Sequence, residues 1–155
     1  MAFQFHALDA ADFTDWFSMD EAALATRGAA RVLVEKCPDI PCRVSLEDAA
    51  VGERVLAVNY THQTANTPYR ASHAIFVREG VQTAQLAANE VPALLRHRLL
   101  SLRAFNASGT MIDAEAVEGT AVEAELNRMF DNANVEDIHV HFAKPGCFAA
   151  RVTRV

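Results

Sequence analysis

The sequence predicts a single α+β domain over residues 1–155, built mainly on antiparallel sheet with two short helices and a C-terminal β-hairpin. Three observations carry this reading. Strand-like and helix-like stretches are interspersed without regular βαβ alternation. At least two pairs of neighbouring strands are joined by turns too short for a parallel crossover. The 155 residues hold no repeat, low-complexity tract or linker and have the usual size of one core.

Taken in order, Ser18-Met19-Asp20-Glu21 matches a capping box, which predicts a helix from Met19 to Arg27 with Gly28 as its left-handed stop. Arg31 to Glu35 reads as a strand, apolar and β-branched in its middle. Two prolines make Cys37 to Cys42 a turn. Arg43 to Leu46 is expected to be extended, and residues 48–53 a connection. Val55 to Thr61 is apolar on both parities at first, the mark of a central strand covered on both faces.

A loop from Thr64 to His73 follows, then a strand from Ala74 to Arg78. Around Pro92 the choice between a helical turn and irregular chain stays open. Leu99 to Asn106, a turn at residues 106–109, and Met111 to Val117 form a hairpin. The second helix runs from Thr120 to Phe130, with Val122, Leu126, Met129 and Phe130 on one stripe.

In the last hairpin the period of two sets Ile138, Val140 and Phe142 on one face and Asp137, His139 and His141 on the other. Two registers are open. The one that keeps both faces consistent pairs His141 with Cys147 and gathers Asp137, His139, His141, Cys147 and Arg151 on a polar face.

Composition narrows the function classes. Hydrophobic residues make up 51% and charged residues 22%, values of a folded globule. The net charge of −6, without a lysine run, argues against a nucleic-acid surface or an anionic membrane surface. No apolar stretch reaches the ~20 residues that span a bilayer. Three cysteines and no basic-then-apolar leader make reduced thiols in the cytoplasm the expectation.

The middle of the chain resembles a known family. The residues that carry the resemblance are Pro41 to Ala49, Gly52-Glu53, Asn59-Tyr60-Thr61-His62-Gln63, Thr67 to His73 and Ile75 to Glu79. It resumes at Leu99 to Phe105 and at His139-Val140-His141 with Gly146 to Val152. Together these blocks resemble the family called domain of unknown function 1203, and cover nearly the whole chain. The resemblance implies a small bacterial protein. It carries no activity, cofactor or catalytic residue with it, and it leads us to expect Asn where this chain has Phe142.

The candidate sites are therefore read from chemistry. The polar loop with Tyr69, Arg70, Ser72 and His73 is a binding-loop candidate, Arg70 offering a planar fork of donors to a carboxylate or phosphate. The bland alternative ties Arg70 to a nearby acid. His62, at the end of the central strand, can line the same hollow as that loop, with Tyr60 beside it. His139 and His141 with Cys147 offer three zinc ligands, and Cys42, His62 or His73 a fourth. Cys42 and Cys147 are also nucleophile candidates, although buried free cysteine is the commoner fate. Phe13, Trp16 and Phe17 read as core or a self-association surface.

Three functions follow as expectations. The first is a small-ligand protein without cofactor, binding an anion or polar metabolite through His62, Tyr69, Arg70, His73, His139 and His141. The second is a zinc protein using His139, His141 and Cys147. The third is a homodimeric interaction module without catalysis. Whether a reaction occurs is open on sequence grounds.

Overall fold

The stripe on the last predicted helix needs a partner face, and the strands on either side of it supply one. In the computed structural model, which describes residues 2–155, Val122, Leu126, Met129 and Phe130 of that helix are all buried. They pack on Leu100, Leu102, Ala104, Ile138, Val140 and Phe142 and on Phe3, Phe5 and Val152.

Among the described residues eight strands form two antiparallel sheets. In chain order they are β1 (Phe3–His6), β2 (Ala30–Leu33), β3 (Arg54–Gln63), β4 (Ala71–Arg78), β5 (Leu99–Phe105), β6 (Met111–Glu118), β7 (Asp137–Phe142) and β8 (Phe148–Arg154). A five-stranded sheet has the order β1-β8-β7-β5-β6, and a three-stranded sheet the order β2-β3-β4. The helices are α1 (Thr14–Phe17), α2 (Glu21–Thr26) and α3 (Val122–Phe130). The single turn of α1 adds to the two helices expected. No helix is long and apolar enough to cross a membrane among the described residues.

The α+β class, the central place of β3 and the hairpin β5–β6 agree with the sequence reading. Pro92 does open a short 3-10 turn, Ala93–Leu95. Val55 and Leu56 are buried on opposite faces of β3, but Asn59 is exposed, so only its first half is covered on both sides.

Four local expectations need correction. The cap of α2 is Asp20, whose carboxylate accepts from Ala23 N at 2.8 Å, while Ser18 Oγ donates to Asp15 O at 2.7 Å. Both residue types cap well, and the nearer one to the helix took the role. Arg43 to Leu46 is a turn, with Leu46 at φ +51°, because the chain reverses there to bring Pro41 beside Asp48. The loop after β3 covers only residues 64–70; Ala71 to His73 already pair with β3.

The C-terminal hairpin departs from the expected pairing of His141 with Cys147. Ile138 pairs with Val152, His139 with Arg151 and Val140 with Ala150, whereas His141 pairs with Phe148. A bulge at Ala149 accounts for the difference. It keeps Ala150 and Val152 on the helix-facing side with Val140 and Ile138, and turns Phe148 to the opposite face beside His141.

The three-stranded sheet has its own core. Leu56, Val58, Ile75 and Val77 pack with Phe13, Leu24, Cys42 and Val44, and Trp16 and Phe17 lie against them. Leu56 pairs with Val77, Val58 with Ile75 and Tyr60 with His73, so this face runs from apolar to polar along the strands. Its polar end meets the face of the five-stranded sheet opposite α3, where the rings of Tyr60 and Phe148 lie 6.0 Å apart.

Candidate functional site

Where the two sheets meet, four histidines converge from three strands. His62 comes from β3, His73 from β4, and His139 and His141 from β7. The period of two puts the last two on the same side of their strand. His62 is the extra residue of a bulge between Thr61 and Gln63. Such an insertion re-aims a side chain that a regular ladder would leave in line.

The rings are closely packed. His62 stacks on Phe148 at 5.2 Å and on His73 at 5.1 Å, and the ring of His141 stands edge-on to His62 at 4.7 Å. Phe105 lies 4.7 Å from His139. His141 is fully buried and His139 nearly so.

The hydrogen bonds leave a pattern in the ring nitrogens. His141 Nδ1 lies 3.0 Å from Gly146 O; a carbonyl only accepts, so this nitrogen carries the proton and Nε2 the lone pair. His62 Nδ1 lies 3.0 Å from His139 Nδ1, and His139 Nε2 faces Asp137 Oδ2 at 3.9 Å. Asp137 is in turn held by Arg151 Nε at 2.6 Å. Among the described residues three buried side-chain nitrogens make no hydrogen bond: His62 Nε2, His73 Nδ1 and His141 Nε2. The same three residues each offer a ligand atom within 4.8 Å of the other two.

The surroundings favour neutral imidazole. Burial, then the charges of His139, His73 and Arg103, lowers the pKa of His62 to about 3. Burial and then Arg103 lowers His141 to about 2, although the bond to Gly146 acts the other way. Burial, then Arg151 and Arg103, brings His139 to about 4. His73 is lowered by burial and then by Arg103. A neutral ring keeps a lone pair for an electrophile.

Three unpartnered imidazole nitrogens suit a first-row transition ion, zinc among them. Bonds of ~2.05 Å in a tetrahedron set ligand nitrogens about 3.4 Å apart, so a separation within 4.8 Å closes by side-chain rotation. The contacts of His141 with Gly146 and of His62 with His139 are the kind that orient ligating histidines.

The family model described as "protein of unknown function (DUF1203)" matches residues 39–154. The chain belongs to the DUF1203 family. No curated protein and no solved structure matches it. In this DUF1203 chain all four histidines fall inside the matched span.

The residues singled out from the sequence separate into two groups. His62, His73, His139 and His141 come together. Arg70 is exposed, its guanidinium donating to Thr64 O at 3.1 Å, so it braces its own loop; Tyr69 is exposed beside it. The zinc set of His139, His141 and Cys147 is altered. Cys147 Sγ accepts from Arg43 Nη2 at 3.0 Å, and His139 turns its Nδ1 to His62. Cys42 is fully buried, with Sγ accepting from Arg78 N and Ser45 N.

Two residues at the site are not among the sequence candidates: Phe148 forms its floor and Arg103 supplies charge. Asp137, expected on the polar face of its strand with His139, closes the chain of contacts from His62.

Arg43 marks a separate feature. Its guanidinium is buried, donating to Phe148 O at 2.8 Å and Pro41 O at 2.5 Å, and lies over the ring of Phe142 at 5.1 Å. It therefore ties the turn at residues 43–46 to the strand that carries Phe148. Beside it, Arg98, Phe142, Lys144 and Cys147 line a cleft of about 420 Å³.

Proposed function

We propose that this chain is a metal-binding protein that holds one divalent transition ion, zinc in the first instance, on His62, His73 and His141. One observation carries the reading. The three residues whose ligand atoms lie within 4.8 Å of one another are the same three that keep a buried, unpartnered ring nitrogen. Such nitrogens are costly to bury unless something completes them. Three protein ligands leave a fourth position for water or a small ligand, the arrangement of zinc sites that act on substrates rather than brace a fold.

His139 is a positioning residue in this reading. By accepting from His62 Nδ1–H it holds the tautomer that presents His62 Nε2. The expected small-ligand role survives in altered form, with the ligand on the ion instead of on Arg70. The cytoplasm suits the three unpaired thiols, which stay reduced there.

Elemental analysis of protein purified without a histidine tag tests the proposal. About one equivalent of metal per chain is expected, lost in His62→Ala and His141→Ala variants that remain folded. Less than a tenth of an equivalent, with no uptake of added zinc or cobalt, overturns it.

A further inference from the structure

Arg103 sits on β5 directly across from His139, on the strand face that looks toward the histidines. It is half-buried, and burial lowers its pKa. Among the described residues its guanidinium makes no hydrogen bond and meets no carboxylate. Its neighbour on the other side, across to β6, is Ala114. The acid diagonal to it, Asp137, is already held by Arg151. The charge of Arg103 is felt at His62, His73, His139 and His141 alike.

Elsewhere the buried or half-buried arginines have partners. Arg98 pairs with Asp48, Arg78 with Glu53, Arg31 with Glu21, and Arg43 has two carbonyls and a sulfur. A guanidinium desolvated without an acceptor is unfavourable, and one placed beside a divalent ion more so. An anion in reach of both would relieve the two at once.

We propose that Arg103 anchors a small oxyanion, a carboxylate or phosphate, whose second oxygen occupies the open position on the metal. This rests on the metal reading above and names its ligand class. The guanidinium offers parallel donors that fit the two oxygens of such a group. Arg103 would then decide which ligands stay, while the three histidines decide whether the ion stays.

Cobalt-loaded protein tests this, titrated separately with sodium acetate and sodium phosphate at constant ionic strength while the visible absorption of the ion is followed. The wild-type protein is expected to give a saturable change with at least one of the two anions, and the stronger response tells carboxylate from phosphate. Arg103→Gln is expected to keep one cobalt per chain and bind that anion at least tenfold more weakly. Where Arg103→Gln does not fold, Arg103→Lys keeps the charge, loses the fork and takes its place.

Equal affinity in wild type and in a folded, cobalt-loaded variant overturns the inference, as does a wild-type protein that responds to neither anion. A wild-type protein that takes up no cobalt defeats the metal reading alone. In that case the melting shift caused by phosphate on metal-free protein decides the role of Arg103: a shift lost in Arg103→Gln sustains it, and no shift overturns it.

Discussion

His62 Nδ1 and His139 Nδ1 lie 3.0 Å apart and share one proton. Only one arrangement suits an ion on His62. The proton must reside on His62, so that its Nε2 is bare, and His139 must accept. Its own Nε2–H then faces Asp137, which Arg151 holds in place.

Substituting His139 therefore separates positioning from ligation. His139→Ala is expected to retain a single zinc per chain but to weaken its affinity by about 10- to 100-fold, the usual cost of losing an outer partner of a ligating histidine. Competition with a chromophoric chelator measures this. Complete loss of stoichiometric zinc would make His139 a ligand itself, and an unchanged affinity would remove its orienting role.

Acid should destabilise the chelated protein through these same rings. In the folded chain His139 titrates near about 4 and His141 near about 2, against ~6.5 when unfolded. Between those values the unfolded chain binds more protons, so stability is full above about pH 6.5 and falls as the pH drops below it. Each of these two buried rings contributes a slope of about 1.4 kcal/mol per pH unit in that window. Urea titrations at pH 7 and pH 5 in the presence of chelator read it directly. An identical midpoint at the two values would show the rings to be solvated.

The helix stripe can be tested apart from the site. Leu126 is fully buried in the cluster between α3 and the five-stranded sheet. Leu126→Ala should lower stability by about 2–5 kcal/mol, the range for truncating a core leucine. Zinc affinity of the folded fraction should stay at the wild-type value, because His139 and His141 lie on the opposite face of that sheet, where His62 and His73 meet them.

Gly109 fixes the loop after β3. It adopts φ +77°, and a Cβ there would fall 2.3 Å from Ala65 Cβ. Thr67 Oγ1 also donates to Gly109 O at 3.1 Å. Gly109→Ala is expected to cost about 1–3 kcal/mol, from left-handed backbone and the clash together. It should also expose residues 64–70 to protease. Wild-type stability in that variant would mean that the loop and the turn move apart freely.

The fold was legible where local chemistry and tertiary burial agree. The stripe on α3, the apolar run of β3 and the turn at residues 106–109 each announce themselves within a dozen residues. The bulges did not, because alternation is blind to an inserted residue: His62 and Ala149 look like ordinary strand positions. Missing Ala149 displaced the register and drew Cys147 toward the histidines, whereas the folded chain gives its sulfur to Arg43, 104 positions away in sequence. All four histidines could be named as candidates singly. Their meeting depends on one sheet docking against another, which no spacing encodes. Arg103 carries no such signal, because arginine in an alternating strand is usually a solvent-facing residue.

The irregular pairing at His62 has a consequence for how this protein can change. Removing that one residue would let Gln63 continue the ladder from Thr61, and the β3–β4 ribbon would gain regularity as it lost an imidazole from the cluster. Selection for a sturdier scaffold and selection for the cluster thus pull in opposite directions at a single codon.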